Sequence, residues 1–308
     1  MIIKDSGFEV ECLAASRSPH NPDDTVLTIR ARYPRIILAE LNTHRHLSRG
    51  SSSSRAIPIE KMLASIEKDP AMPVRFGGNQ AGMQDKGEEH TDSVAIPRVL
   101  WGAFDYWETH VYPAYSRGML VSPRVFWNFM SWVNSQASRS YSDAGYHKQI
   151  ANRLTEPYQW MQTVISATTQ GWIDFLKLRD HEAADPTIAK LAGLIRKLRE
   201  SIEYVQLQLG EWHLPYILEE EKSLSLQKKL VYSTARCARV SYEPFDGEPS
   251  WDKELKRHNL LVTSEPPHAS PTEHPCTPMP GRWGNFVGFC QYRQVLEGKI
   301  NGNSILDN

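Results

Sequence analysis

The densest concentration of reactive side chains is one polar run, NTHRHLSRGSSSSRAIP, residues 42–58. It interleaves Arg45, Arg49 and Arg55 with the hydroxyls of Thr43, Ser48, Ser51, Ser52, Ser53 and Ser54, and adds the imidazoles of His44 and His46. Guanidinium forks grip phosphate bidentately, and hydroxyls supply neutral donors beside them. Arginines alternating with hydroxyls directly after an apolar run read as a phosphate cradle. A Ser-rich flexible linker with solvated charges is the competing reading. The alternation favours the cradle.

Further candidates are weaker one by one. In FLKLRDHEAADPTIAKLA, residues 175–192, Arg179 follows an apolar segment just before a long helix, where a solvated helix-end arginine is the default explanation. ARVSYEPFDG, residues 238–247, and HASPTEH, residues 268–274, carry polar groups without a defining pattern. His44, His46, His268, His274, Glu273 and Cys276 are metal-ligand types, yet no subset has the tight spacing of a zinc site, so no metal is expected. The glycines of FGGNQAGMQDKG, residues 76–87, do not match G-x-G-x-x-G, which argues against a Rossmann nucleotide fold. Cys276 in HPCTP would need an activating base to act as a nucleophile, and it reads as a buried or incidental thiol.

These groups must be positioned by elements whose periodicity is partly legible. Residues 26–33 and 36–41 are apolar or β-branched and are separated by Pro34, which predicts two strands. Residues 70–97 form a Gly- and Pro-bearing surface loop of the kind that covers a site. Val99, Leu100, Ala103, Phe104, Trp107 and Val111 share a helical face behind Pro97, and Val125, Phe126, Phe129 and Trp132 another behind Pro123. With Asp185 as a cap and Pro186 in the first turn, Ile188, Leu191, Ile195, Leu198, Ile202 and Val205 predict a long amphipathic helix. Helices are expected over residues 226–238 and 251–261, then a proline-rich stretch and a strand or helix from Phe286.

With 308 residues, 40% hydrophobic and 23% charged, the chain can bury a real core and is neither disordered nor collagen-like. Its 35 basic and 36 acidic side chains nearly cancel, so no global field holds duplex nucleic acid or an anionic membrane. An anionic partner must meet a local cluster. Asp5, Glu9 and Glu11 interrupt any signal-peptide core, and no run reaches the length of a membrane span. Four cysteines without C-x-x-C spacing suit a reducing, cytoplasmic compartment.

Taken together, these pieces resemble the flavin-dependent thymidylate synthases. That family's signature is Arg-His-Arg, seven residues, then Ser; Thr43-His44-Arg45 followed by Ser53, Ser54 and Arg55 is similar to it. The family's Asn-Leu-Arg resembles Lys177-Leu178-Arg179, its Ala-Arg-Val-Ser resembles Ala238-Arg239-Val240-Ser241, and its His-x-Thr-Pro-Phe-Glu-His resembles residues 268–274. An arginine four residues before a proline resembles Arg153 before Pro157. In the family the Ala-Arg-Val-Ser and His-x-Thr-Pro-Phe-Glu-His elements precede the signature, whereas here they come after the long helix, which looks like a circular permutation. Departures fall at Thr43, where the signature has Arg, at Gly50-Ser51 for Asn-Glu, at Glu40 for Gln, and at Thr168 and Gln170 for the Asn and Arg beside the flavin.

The resemblance implies an α+β fold: an antiparallel sheet with long helices, one catalytic domain over residues 1–308, in which 221–308 completes a site begun in 1–220. It also implies a homotetramer with intersubunit active sites. The implied reaction is reductive C5-methylation of a deoxypyrimidine monophosphate, dUMP ahead of dCMP, using 5,10-methylenetetrahydrofolate and FAD reduced by NADPH. A hydroxymethylated product or a noncatalytic nucleotide-binding protein are the alternatives. Carried over residue by residue, Ser53 and Arg179 are catalytic, and Glu40, Ser53, Ser54, Arg55, Arg153 and Arg179 bind nucleotide. Thr43, His44, Arg45, Ser51, Thr168, Gln170, Ser241, His268 and Ser270 meet the cofactors. Glu40 must turn away from the phosphate, pair with an arginine such as Arg45, or face a substrate donor.

Overall fold

Leu27, Ile29, Ala31 and Tyr33 alternate with Val26, Thr28, Arg30 and Arg32, and a period of two sends the two sets to opposite faces of a strand. The structure, a computed structural model, describes residues 1–82, 87–112, 118–240, 250–265 and 268–298. Its strands, in chain order, are β1 (Ile2–Asp5), β2 (Phe8–Arg17), β3 (Thr25–Pro34), β4 (Ser48–Ser51), β5 (Val94–Ala95), β6 (Leu120–Val121), β7 (Trp160–Thr168), β8 (Val205–Gln206), β9 (Cys276–Trp283) and β10 (Phe286–Gln291). The main sheet runs β1-β2-β3-β7-β4 with every neighbour antiparallel, and β8 adds a short parallel pairing at Ser16 and Arg17. The two remaining strand pairs, β9 with β10 and β5 with β6, lie outside it.

The helices are α1 (Leu38–Leu41), α2 (Ile59–Lys68), α3 (Trp101–His110), α4 (Pro123–Asp143), α5 (Lys148–Ala151), α6 (Thr169–Arg179), α7 (Pro186–Ser201), α8 (Leu226–Cys237), α9 (Trp251–Thr263) and α10 (Tyr292–Leu296). Among the described residues the architecture is therefore mixed helix and antiparallel sheet. Helices α6 and α7 cover the face carrying Leu27, Ile29, Ala31 and Tyr33 through Trp172, Phe175, Ile188, Leu191, Ile195 and Leu198. Removing one such aromatic, as in Phe175→Ala, should cost about 3–5 kcal/mol. The other face buries Val26 against Leu207, Cys276, Phe286 and Phe289. The chain's last third is tied to that face: Gln291 Nε2 donates to Ser48 Oγ at 2.9 Å, and Ser166 Oγ meets His274 Nδ1 at 2.8 Å.

Several expectations need correction. Residues 36–41 are not a strand: after Pro34 the chain turns through a 3-10 segment, Arg35–Ile37, into α1. Leu, Ala and Glu are good helix formers, and the apolar run is satisfied by burying Ile37 and Leu41 from a helix. The long helix does start as read, with Asp185 Oδ1 accepting from the backbone of Thr187 and Ile188, but it stops at Ser201. Ile202 is extended and Val205 joins β8, 66% exposed. Val99 is 91% exposed, since its segment is a 3-10 turn rather than the first turn of α3. The strands at residues 2–17 were not anticipated. From Phe286 the chain is first strand, then helix.

Candidate functional site

The serine run leaves the end of β4 and reaches the 3-10 segment Asn152–Tyr158. There residues 52–55 turn, and together with Arg35 and Met161 they line a cleft of ≈ 280 Å³ with Ser51, Ser52, Ser53, Ser54, Arg55, Arg153 and Glu156. Asn152 fixes the turn by donating from Nδ2 to the carbonyls of Ser54 (2.7 Å) and Ile57 (3.0 Å). Ser51 and Ser52 are committed to the sheet: Ser51 Oγ shares a 3.0 Å bond with Thr163 Oγ1, and Ser52 Oγ accepts from Gln162 N. Arg35 is held by Glu156 at 2.9 Å, while Arg153 stands 3.9 Å from that same carboxylate with its side chain 60% exposed. Arg55 is exposed and forms no ion pair among the described residues. The cleft thus presents three guanidiniums against one carboxylate, two of them free to turn onto an anion. Its volume suits a phosphate with part of a sugar, below the usual range for an enclosed drug-sized ligand.

Arg179 sits in a different setting. It is the last residue of α6, and its side chain, only 16% exposed, folds back under the turn at residues 42–47. Nη1 donates to Glu40 Oε2 at 3.0 Å, Nε to His44 Nε2 at 2.9 Å, and Nη2 to Thr43 Oγ1 at 3.4 Å. Arg179 is thus not a solvated helix-end charge, and of the options open to Glu40 it takes the pairing with an arginine, the partner being Arg179. Burial holds His44 down to about 4, helped by the positive charges of Arg179 and Arg49, so the ring is neutral and accepts at Nε2. Burial raises Glu40, with Asp185 adding to the effect, and the attraction of Arg179 does not outweigh them. Arg49, its pKa lowered chiefly by burial, clamps the turn by donating from Nη1 to the carbonyls of Leu41 and His44, both at 2.7 Å.

The remaining candidates are dispersed. Arg45 is exposed. Thr168 is buried at the end of β7, opposite Val26, and Gln170 donates to Asp174 Oδ1 at 2.7 Å, the carboxylate that also binds His46 Nδ1 at 2.7 Å. Gln170 and Arg179 lie at opposite ends of α6, about 13 Å apart along its axis at 1.5 Å per residue. Gly171 allows α6 to press on the turn: a Cβ there would stand 3.0 Å from Ala167 Cβ and 3.1 Å from the His46 carbonyl. His268 and Ser270 are exposed, at and just before the 3-10 segment Ser270–Glu273, whose following residue His274 binds the sheet face opposite α6. Ser241 lies outside the described residues.

Sequence reasoning missed a buried polar chain through the sheet. Ser16 Oγ meets His213 Nδ1 at 2.8 Å, His213 Nε2 meets Thr28 Oγ1 at 2.8 Å, Thr28 meets Ser166 at 2.6 Å, and Ser166 meets His274 Nδ1. Burial holds both imidazoles at about 3, hence neutral. Only the alternation of hydroxyls along strands hinted at this. Arg35 and Glu156, which complete the cradle, carried no signal at all. Cys276 is fully buried and burial raises its thiol well above the usual range, the opposite of an activated nucleophile.

The sequence matches no established family profile and no curated protein sequence. Among solved structures it is similar to one described as a UMP/dUMP methylase PolB from Streptomyces cacaoi bound with 5-Br dUMP, at 14% identity and a TM-score of 0.41, covering 62% of this chain and 89% of that one. Likeness at that level carries no conclusion about this chain.

Proposed function

We propose that the chain binds a deoxypyrimidine 5′-monophosphate, dUMP ahead of dCMP, and supports reductive methylation at C5, the one-carbon unit coming from 5,10-methylenetetrahydrofolate and the hydride from FAD reduced by NADPH. The observation that supports this reading is the meeting of the consecutive Ser53, Ser54 and Arg55 with Arg153, distant in sequence, on one cationic cleft. In it Arg55 and Arg153 clamp the phosphate, Ser53 and Ser54 line it, and Glu156 holds Arg35 as a fixed wall. Charge-assisted hydrogen bonds of this kind contribute about 1.5–3 kcal/mol each.

The residues that the resemblance assigns to FAD do not fit a flavin within one chain. Thr43 and His44 are spent on Arg179, Gln170 on Asp174, and His268 and Ser270 stand by the sheet face opposite α6. No step is therefore derived through flavin or its NADPH reductant, and a flavin-using reading requires a second subunit, as in the proposed homotetramer. Arg179, already neutralised by Glu40, stabilises a developing ring anion only if that pair opens.

This pairing favours a second reading, a noncatalytic nucleotide-binding protein that keeps the cradle. Tritium release from C5-labelled dUMP and dCMP, with folate and reduced flavin present, separates the two. Release from dUMP supports the methylase, release from dCMP alone shifts the substrate, and absence of release alongside tight dUMP binding leaves the binding protein.

A further inference from the structure

The outer edge of β2 is incompletely covered. Strand β1 pairs with it from Phe8 to Glu11, the amide of Cys12 reaches the Met1 carbonyl, and β8 begins only at Ser16. Between them Leu13, Ala14 and Ala15 have no strand partner on that edge among the described residues. They form one wall of a groove of ≈ 690 Å³, within the range of small-molecule sites. Opposite stand Leu207, Leu214, Ile217 and Trp212. Trp212 is 6% exposed and its ring packs behind that wall with Leu230, Tyr292 and Val295.

Charge is supplied at the same groove. Lys229 Nζ donates to the Lys222 carbonyl at 3.2 Å and has no carboxylate partner among the described residues. Among the described residues Lys222 pairs only with Glu219, at 2.6 Å, with both side chains mostly exposed, a pair that yields readily to a better anion. The acid lining the groove, Glu211, is turned back on its own loop, its Oε2 accepting from Gln208 N at 2.8 Å.

We propose that this groove is a second ligand site, built for a planar nitrogen heterocycle carrying an anionic arm. The ring lies against Leu207, Leu214 and Ile217, its polar edge pairs with the open backbone edge of residues 13–15, and the arm reaches Lys222 and Lys229. The inference is independent of the proposed nucleotide cradle. Strand β2 is three strand spacings from β4, about 14 Å across the sheet, with the groove beyond it.

Equilibrium dialysis with AMP and with orotate, one phosphate arm and one carboxylate arm, tests it in the Arg55→Ala/Arg153→Ala variant, where the cradle is disabled. At least one of the two is expected to bind there one to one and to identify the preferred anion. Affinity should fall at least tenfold on adding Lys222→Ala and Lys229→Ala, and also on adding Leu214→Trp, which fills the groove. Adenosine, or uracil for orotate, should bind at least tenfold more weakly than its charged counterpart. Failure of both probes to bind the cradle variant, or binding indifferent to the lysines and to Leu214→Trp, would overturn the site.

Discussion

Two arginine clusters flank the turn that carries the polar run, and they differ in what their charge is used for. Around Arg55 and Arg153 the guanidiniums are exposed and nearly free of carboxylates, so their cost to the fold is small and their charge is available to a ligand. Around Arg179 the guanidinium is half-buried and divided among Glu40, His44 and Thr43, so its charge is consumed by the fold. An arginine recognised by its motif is thus exposed and open to a ligand in one place and a structural tie in the other. Only the location of the nearest carboxylate distinguishes them.

The largest expected effect separates the two clusters directly. Arg55→Ala with Arg153→Ala should weaken dUMP binding at least 30-fold, about 2 kcal/mol or more, measured by calorimetry. The same pair should leave unfolding free energy within about 0.5 kcal/mol of the parent, as surface substitutions do. Arg179→Ala should do the reverse: urea unfolding should show a loss of about 1–3 kcal/mol, because Glu40 is left partly buried and unpaired. Glu40→Gln in the Arg179→Ala background should recover part of that loss. An Arg179→Ala protein as stable as the parent would dissolve the distinction.

A smaller effect sharpens it through pH. His44 is held at about 4, and His213 and His274 at about 3, against an ordinary 6.5. Between those values the unfolded chain binds more protons than the folded one, so stability rises with pH through the window. It is complete above about pH 6.5 and is lost progressively as pH falls toward 4 and then 3. The urea midpoint should therefore drop between pH 7 and pH 4.5, and His44→Gln should flatten part of the slope. The smallest effect concerns contact between α6 and the turn. Gly171→Ala should cost about 1 kcal/mol, because its Cβ meets the His46 carbonyl at 3.1 Å, and the loss should appear as a lowered urea midpoint with dUMP affinity unchanged.

Much of the fold was legible where one physical signal dominated. Asp185-Pro186 marked a helix start because a cap and a proline agree there, and an apolar, β-branched run ended by Pro34 marked β3, which is buried on both faces. Residues 36–41 misled because a short apolar run buries equally well from a helix or a strand. In the site, the serine run suggested an anion cradle through its residue types, whereas Arg153 entered only through the family resemblance. Arg35 and Glu156 carried no signal, since their part follows only from how β3 and the 152–158 segment meet. The role of Arg179 was unreadable because Glu40 reaches it across 139 positions of sequence.

The measurement that bears most directly on the central claim is calorimetric titration of the parent chain with dUMP and with deoxyuridine, repeated in Arg55→Ala/Arg153→Ala. Cradle binding predicts that dUMP binds at least 30-fold more tightly than deoxyuridine and that the advantage disappears in the variant. Equal affinity for the two ligands, or an advantage that survives the loss of both arginines, would contradict it.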